Sequence, residues 1–155
     1  NRLASNSLIE CLVFGKRAVE DSVRNRREDP IPETIPSFSL DREKVDAYLS
    51  LKNKVADIMT QEAGIIRTEN GLQEGLENLL RLEQTEIFEE NEYYSLVSKN
   101  LLTVAELIIR SALFRKESRG GHFRSDYPTP NDDYVCHIIQ QKGKEIKTTP
   151  VILNN

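Results

Sequence analysis

Residues 91–116 read NEYYSLVSKNLLTVAELIIRSALFRK, and this stretch decides the fold that the sequence predicts. Its apolar residues recur at the three- and four-residue spacing of an α-helix. It is the most apolar of the predicted helices, so we expect it to lie at the centre of a bundle. Asn91 is the predicted N-cap, and Gly120-Gly121 is expected to end the helix. The residues predicted to face the core are Tyr94, Val97, Leu101, Val104, Ala105, Ile108 and Ala112.

Two further amphipathic helices precede this stretch. Ser39 or Asp41 can cap the first of them, which is predicted to run to about Ala63. Asn70-Gly71 offers a turn or a restart before the second. Three helices joined by short connections predict an antiparallel bundle, and the fold class is therefore all-α. The apolar positions are Val45, Tyr48, Leu49, Val55, Ile58 and Met59 in the first helix, and Leu72, Leu76, Leu79 and Leu80 in the second.

The beginning of the chain predicts a separate helix. Ser7 and Glu10 have the spacing of a capping box, which satisfies two backbone N–H groups reciprocally, so a helix is expected over residues 7–27. Its first half is apolar on nearly every side and needs burial, which makes Cys11 a predicted core residue. Prolines at positions 30, 32 and 36 predict an extended linker over residues 28–40.

The end of the chain is less regular. After an irregular stretch around Pro128 and Pro130, residues 134–141 and 144–151 alternate weakly between apolar and polar side chains. This alternation predicts a hairpin that turns at Lys142-Gly143, and the same residues are equally compatible with an extended arm.

Composition narrows the class of protein. The 155 residues include 21 basic and 25 acidic side chains, mixed along the chain, so no nucleic-acid partner is expected. The apolar runs are far shorter than a membrane span. Cys11 and Cys136 lie far apart in sequence, which favours a reducing cytoplasm over a disulfide framework. His122 and His137 lack ligand spacing with each other or with a cysteine, so no metal site is expected.

The first eight residues are the strongest candidates for chemistry. The guanidinium of Arg2 can grip a carboxylate with two parallel hydrogen bonds. Ser5 lies close by in sequence, and the backbone N–H groups of Ser7 and Leu8 open the predicted helix. Because a helix start carries roughly half a positive charge, this segment predicts a site for an anion or an electron-rich ring.

Two motifs carry a resemblance to a known family. Residues 1–15, NRLASNSLIECLVFG, resemble the last flavin-binding segment of the L-aspartate oxidases, a branch of the succinate dehydrogenase and fumarate reductase flavoprotein family. Residues 118–128, SRGGHFRSDYP, resemble the second signature of that family, at the end of its C-terminal helical domain. Glu10-Cys11 favours the L-aspartate oxidase branch, because the succinate dehydrogenase flavoproteins usually have Asp-Leu there.

The resemblance implies a role for each site residue. Arg2 would bind a carboxylate of L-aspartate, and Ser5 would lie in the same substrate site. Ser7 and Leu8 would offer backbone contacts to FAD. The family reaction converts L-aspartate to iminoaspartate, with oxygen or fumarate as acceptor, in quinolinate and NAD biosynthesis. The alternatives are a succinate dehydrogenase or fumarate reductase subunit, and a stand-alone helical interaction module.

The resemblance also implies that this chain is the C-terminal part of a longer enzyme. Residues 1–27 would end the FAD-binding domain, residues 41–128 would form the helical domain, and residues 129–155 would form an arm. The FAD fold and its capping domain would lie upstream and act as partners. No catalytic residue is expected in this chain, which alone should be inactive. In this chain the apolar helix over residues 7–27 must fold back on the bundle, pair with a second copy or be disordered, and of these we expect self-association.

Several charged residues of the second motif could be mistaken for a catalytic cluster. We interpret Arg119, His122, Arg124 and Asp126 as structural, because basic groups after a helix end complement its dipole. Arg124 and Asp126 are predicted to form a fixed ion pair.

Overall fold

The fold is that of a computed structural model, which describes residues 7–25, 41–86, 88–89 and 92–151. The chain forms two compact units, residues Asn1–Ser39 and Leu40–Asn155. The described residues contain four α-helices, one short 3-10 helix (Asp132–Tyr134) and one two-stranded sheet, so the predicted all-α class is confirmed. The helices are α1 (Ser7–Arg24), α2 (Arg42–Glu62), α3 (Glu69–Thr85) and α4 (Tyr93–Phe114).

The described part of the first unit is α1. It begins at Ser7, where the capping box predicts a start, and its last turn continues into Asn25, whose backbone N–H donates to the Asp21 carbonyl at 2.8 Å. Cys11 is exposed, so the prediction that it is a core residue is wrong. A single helix with apolar residues on nearly every side cannot cover its own faces. The linker predicted over residues 28–40 lies outside the described residues.

In the second unit, α2, α3 and α4 pack against one another in pairs. The end of α2 meets the start of α3, since a Cβ on Gly75 would lie 2.9 Å from the Glu62 Cβ. The same Cβ would lie 3.2 Å from Ile109 Cδ1 near the end of α4. The first two turns of α2 and the first turn of α4 meet through the rings of Tyr48 and Tyr94, whose centroids are 6.0 Å apart. The helices therefore run up, down and up, the predicted antiparallel arrangement.

The buried faces of α2 and α4 agree only in part with the predicted ones, since Val55, Ala105 and Ala112 are buried as predicted. Leu51 is the most buried apolar residue of α2, whereas Leu49 is 44% exposed. In α4, Leu102 and Ile109 face the core in place of Val104 and Ile108. Because α4 is apolar on most of its sides, hydropathy alone leaves the direction of its buried face undetermined. The core consists of Leu51, Val55, Ala63, Leu72, Leu79, Leu102, Ala105, Ile109 and Ala112.

Both limits of α4 also differ from the prediction. The N-cap is Glu92 and not Asn91, because the Glu92 carboxylate accepts a hydrogen bond from the Ser95 N–H at 2.6 Å. The helix ends at Phe114, well before Gly120-Gly121. Arg115 is the C-cap in an extended conformation, and the chain beyond it returns to the helix end, where Arg124 Nη1 donates to the Ala112 carbonyl at 3.0 Å. The other predicted cap, Asp41 on α2, is confirmed by its bond to the Glu43 N–H at 3.0 Å.

The chain ends in the predicted hairpin. Strands β1 (Cys136–Ile139) and β2 (Lys147–Pro150) pair antiparallel, with His137 opposite Thr149. Gly143 has a φ of 73°, which its turn requires and which a residue with a Cβ rarely adopts. Gln140 joins the hairpin to α4 by donating to the Leu107 carbonyl at 2.8 Å. Among the described helices, none is both long and apolar enough to cross a membrane.

Candidate functional site

The predicted N-terminal site falls largely outside the described residues, which exclude Arg2 and Ser5. Ser7 is the first residue of α1, and Leu8 follows it with 79% of its surface exposed. The first four N–H groups of a helix have no acceptor within that helix, and they carry its partial positive charge. The backbone N–H groups of Ser7 and Leu8 lie in this first turn, and the binding of an electron-rich group by them stays a prediction.

The second motif forms a network of buried charges beyond the end of α4. We call residues 118–128 the signature loop. At its centre, Arg124 is completely buried, and two of its nitrogens donate to the Asp126 carboxylate at 2.7 and 2.6 Å. Nη2 also donates to Glu69 Oε2 at 2.8 Å, and Nη1 donates to the Ala112 carbonyl at 3.0 Å. The predicted ion pair between Arg124 and Asp126 is confirmed, together with its position at a helix end.

A second carboxylate organises the other side of the network. Glu117 is completely buried and pairs with both Arg115 and Arg119. Its Oε2 accepts the Asn131 N–H at 2.8 Å. Arg115 in turn donates to the carbonyls of Tyr134 and Cys136 at 2.7 and 3.0 Å. The end of α4 is thereby bonded to the start of the C-terminal hairpin.

His122 joins the two halves of the network. Its side chain is 4% exposed, and its Nδ1 lies 2.8 Å from Arg67 Nη1 in the connection between α2 and α3. Its Nε2 lies 3.1 Å from the Arg115 carbonyl. The backbone repeats this link, because the Arg67 N–H donates to the Phe123 carbonyl at 3.1 Å and Ser125 returns a bond to Arg67 at 2.9 Å.

Electrostatics in this network follow from burial and pairing. The hydrogen bonds from Arg124 hold the pKa of Asp126 down at about 2. Burial acts to raise the pKa of Glu117, but the bonds from Arg119, Asn131 and Arg115 outweigh it and lower that pKa. Burial lowers the pKa of His122, and the neighbouring arginines lower it further. At neutral pH both carboxylates are therefore ionised and the imidazole is neutral.

A tight turn at Gly120 shapes the tip of the loop. Arg119 and His122 pair across it, with backbone hydrogen bonds of 2.8 and 3.0 Å. Gly120 has a φ of 59°, in the left-handed region that favours glycine. The pair Gly120-Gly121 thus serves this turn and does not end α4.

The hydrogen bonds and ion pairs of this network stabilise the fold. Each of its buried carboxylates and guanidiniums is bonded to another protein group, and among the described residues no buried side-chain nitrogen or oxygen lacks a partner. No group of three potential ligands arranged to hold a metal occurs in the described part of the chain. This geometry supports the interpretation of Arg119, His122, Arg124 and Asp126 as structural residues.

The network also contains four residues that the predictions from the sequence do not include: Arg67, Glu69, Arg115 and Glu117. A signal existed for two of them, because Arg115 and Glu117 stand in a dense run of charges just after the most apolar helix. For Arg67 and Glu69 the sequence offers none, since their partners His122 and Arg124 are each 55 residues away.

A small pocket at the opposite end of the bundle offers less chemistry. It is lined by residues that include Tyr48, Phe88 and Tyr94. Lys44 reaches across it and donates from Nζ to Glu89 Oε2 at 2.7 Å, and this bond raises the pKa of the lysine. Because the chain's own ammonium and carboxylate satisfy each other there, we assign no ligand to this pocket.

The sequence of this chain is similar to those of known flavoproteins. Residues 52–155 match the sequence model of the family described as fumarate reductase flavoprotein C-term. An L-aspartate oxidase from Acinetobacter baylyi is 36% identical over 163 residues, which cover 97% of this chain and 29% of the relative. One from Pseudomonas aeruginosa is 37% identical over 140 residues, which cover 83% of this chain and 25% of the relative.

A solved structure agrees with these relatives at the level of the fold. A variant of Escherichia coli quinol fumarate reductase superposes with a TM-score of 0.55 at 20% identity, over 92% of this chain and 25% of that one. The chain therefore spans between a quarter and three tenths of the length of these three proteins. The family match covers most of the α-helical bundle, the whole signature loop and the hairpin, and on that basis the chain belongs to the fumarate reductase flavoprotein C-terminal family.

Proposed function

We propose that this chain is the C-terminal helical part of an FAD-dependent L-aspartate oxidase, which oxidises L-aspartate to iminoaspartate for quinolinate and NAD biosynthesis. The observation that carries the proposal is the start of α1 at Ser7, directly after the run from Asn1 to Asn6 that resembles the family's substrate segment. Relatives named L-aspartate oxidase that are 36% and 37% identical support the choice of substrate.

On the substrate side, Arg2 holds a carboxylate of L-aspartate, and Ser5 completes that part of the site. A guanidinium suits this role because its planar fork donates two parallel hydrogen bonds to one carboxylate. It also stays charged at any pH at which the enzyme works. The dicarboxylate is thereby oriented by a fixed positive charge, which lowers the entropy lost in reaching the reactive geometry.

On the cofactor side, the first turn of α1 supplies the chain's contribution. The backbone N–H groups of Ser7 and Leu8 would hold the ring system of FAD, and the positive end of the helix would favour negative charge there. When bound, FAD supplies the two-electron acceptor chemistry of the reaction. The helix would stabilise negative charge at that position without having to move, which is the advantage of a preorganised dipole.

Replacement of Arg2 tests the substrate assignment. In a full-length enzyme that contains this segment, Arg2→Leu should reduce kcat/KM for L-aspartate by about 100-fold or more, because a charge-assisted bidentate contact is lost. The matched control is Arg17→Leu, an exposed arginine on α1, which should leave the kinetics unchanged. Undiminished turnover of L-aspartate by Arg2→Leu would refute the proposal.

The alternative within the family is a succinate dehydrogenase or fumarate reductase flavoprotein subunit, which the family description favours by naming fumarate reductase. A full-length enzyme assayed with L-aspartate and with succinate separates the two, because only one of them should be oxidised efficiently.

The third possibility is a stand-alone helical interaction module. The coding sequence upstream of Asn1 tests it, because the flavoenzyme requires a glycine-rich strand–turn–helix there. A start codon directly before Asn1 would favour the module. We also expect the isolated 155-residue chain to bind neither FAD nor L-aspartate measurably. Flavin absorbance that copurifies with the chain would contradict this. The cytoplasmic location expected from the two cysteines stays a prediction.

Self-association of the isolated chain is the last part of the proposal. The exposed apolar residues of α1 include Leu12, Val19 and Val23, which are 75%, 65% and 73% exposed. A soluble chain rarely leaves such a surface uncovered, so we propose that two copies pair through α1. Sedimentation should show a dimer that Leu12→Glu disrupts, and a monomer at high concentration would exclude the pairing.

A further inference from the structure

The hydrogen bonds of His122 fix its protonation state. A guanidinium can only donate, so the 2.8 Å contact from Arg67 Nη1 requires a lone pair on His122 Nδ1. The second ring nitrogen, Nε2, lies 3.1 Å from the Arg115 carbonyl, which can only accept. His122 is therefore neutral, with its proton on Nε2, and it serves as an acceptor for the cation of Arg67.

Arg67 depends on this acceptor. Its Nε donates to the Ala63 carbonyl at 3.0 Å, and among the described residues no carboxylate pairs with it. Partial burial lowers the pKa of Arg67. A proton on His122 Nδ1 would remove the lone pair that Arg67 uses and would place two cations in contact.

The groups around His122 offer no compensation for that proton. Arg67 faces it from the α2–α3 connection, Arg115 from the end of α4, and Arg124 from the signature loop itself. The carboxylates of the network, Glu117 and Asp126, are already bonded to arginines. The imidazolium form would thus be buried among cations, which is strongly unfavourable.

We propose that His122 is an acid-sensitive latch, in which proton uptake at Nδ1 releases the signature loop from the α2–α3 connection while the three-helix bundle stays folded. The release is local because the bonds that cross this junction are polar and come from one short segment, residues 67–69. Apart from the contact to His122, they include the backbone bonds from Arg67 to Phe123 and from Ser125 to Arg67, the bond from the Glu69 N–H to the Asp126 carboxylate at 2.8 Å, and the pairing of Arg124 with Glu69. The apolar core lies in other residues.

The useful pH window lies between about pH 7 and about pH 5, above the range in which ordinary carboxylates titrate. The pKa of Asp126 is about 2, so the ion pair with Arg124 persists throughout this window. A histidine in an unfolded chain takes up its proton near pH 6.5. If only the open loop accepts this proton, the ratio of open to closed loop rises by about tenfold per pH unit below that value.

Hydrogen exchange and imidazole NMR on the full chain test the latch. At about pH 7, the nitrogen spectrum of His122 should show a neutral ring protonated at Nε2. Between about pH 7 and about pH 5, the protection factors of the Arg67 and Ser125 amides should fall by about tenfold or more. The amides of Leu102 and Ile109 in α4 should keep their protection.

Two variants separate the latch from general acid sensitivity. His122→Asn offers an oxygen acceptor to Arg67 but cannot titrate, so its loop amides should keep constant protection across the window. His137→Asn, at an exposed position on β1, is the matched control and should behave like the unmodified chain. A ring protonated at Nδ1, or loop protection that does not change with pH, would overturn the proposal. If His122→Asn fails to fold, these two measurements on the unmodified chain decide.

Discussion

Replacing Arg124 by methionine should destabilise the bundle by about 3 kcal/mol, because the change removes one partner from a buried ion-pair network. Arg124 is fully buried and donates to Asp126, Glu69 and the Ala112 carbonyl. Methionine fills similar space but leaves all three acceptors without their donor. The side chains of Glu69 and Asp126 are 33% and 30% exposed, so water can solvate them in part. We therefore take the lower end of the range of about 3–5 kcal/mol for a broken buried pair.

Urea denaturation measures this change. With an m-value of about 2 kcal/mol per M, a loss of about 3 kcal/mol lowers the midpoint by about 1.5 M. The near-ultraviolet circular dichroism signal of the Tyr48 and Tyr94 pair reports the bundle itself. Arg110→Met is the matched control, since Arg110 is 42% exposed and pairs with Glu106 one turn away. That change should cost about 0.5 kcal/mol or less.

A third variant isolates the geometry of the guanidinium. Arg124→Lys keeps the charge but cannot donate two parallel bonds to Asp126, so its stability should lie between those of the methionine variant and the unmodified chain. If Arg124→Met lowered the free energy of unfolding by less than about 1 kcal/mol, no more than Arg110→Met does, the network would not stabilise the fold as argued.

Three other outcomes follow from the geometry. The free energy of unfolding should fall below about pH 6.5, because the pKa of His122 is lowered in the folded chain and the unfolded chain binds that proton more readily. It should fall again below about pH 4, as Asp126 is protonated. Urea midpoints from about pH 8 to about pH 2 measure both steps, and a flat profile would contradict them. Gly75→Ala should destabilise the bundle by about 1–3 kcal/mol, because its Cβ would crowd Glu62 and Ile109, whereas Gly15→Ala on α1, with nothing within 4 Å, should raise helicity. Arg115→Met should loosen the start of the C-terminal hairpin, seen as faster exchange at Cys136 and Ile138 with α4 unchanged, because the carbonyls of Tyr134 and Cys136 lose their donor while Gln140 still bonds to Leu107.

The sequence predicts what local chemistry determines. The Asp41 cap, the hairpin turn at Gly143 and the pairing of Arg124 with Asp126 each involve residues a few positions apart. Short-range patterns of this kind are readable because the partners share one segment of the chain. The order of the helices follows in the same way from their periodicity and short connections.

The rest depends on packing, which a single sequence does not display. The buried face of α4 could not be read, because Val104 and Ile108 are as apolar as Leu102 and Ile109. The end of α4 at Phe114 depends on bonds that residues beyond it make in three dimensions. The exposed state of Cys11 depends on which surfaces are present to cover α1. For the predicted substrate site, Arg2 and Ser5 lie outside the described residues, so their roles stay predictions.

The span of the Arg124 contacts has a consequence for the order of folding. Asp126 is two residues away and Ala112 is twelve, so both can meet Arg124 early. Glu69 is 55 residues away and arrives only after α3 has docked on α4. Closing so long a segment is entropically unfavourable, and it must precede the contact that rewards it. We therefore expect the Arg124 guanidinium to be fully desolvated only when the three helices have assembled, so that its desolvation is a late step in the folding of the domain.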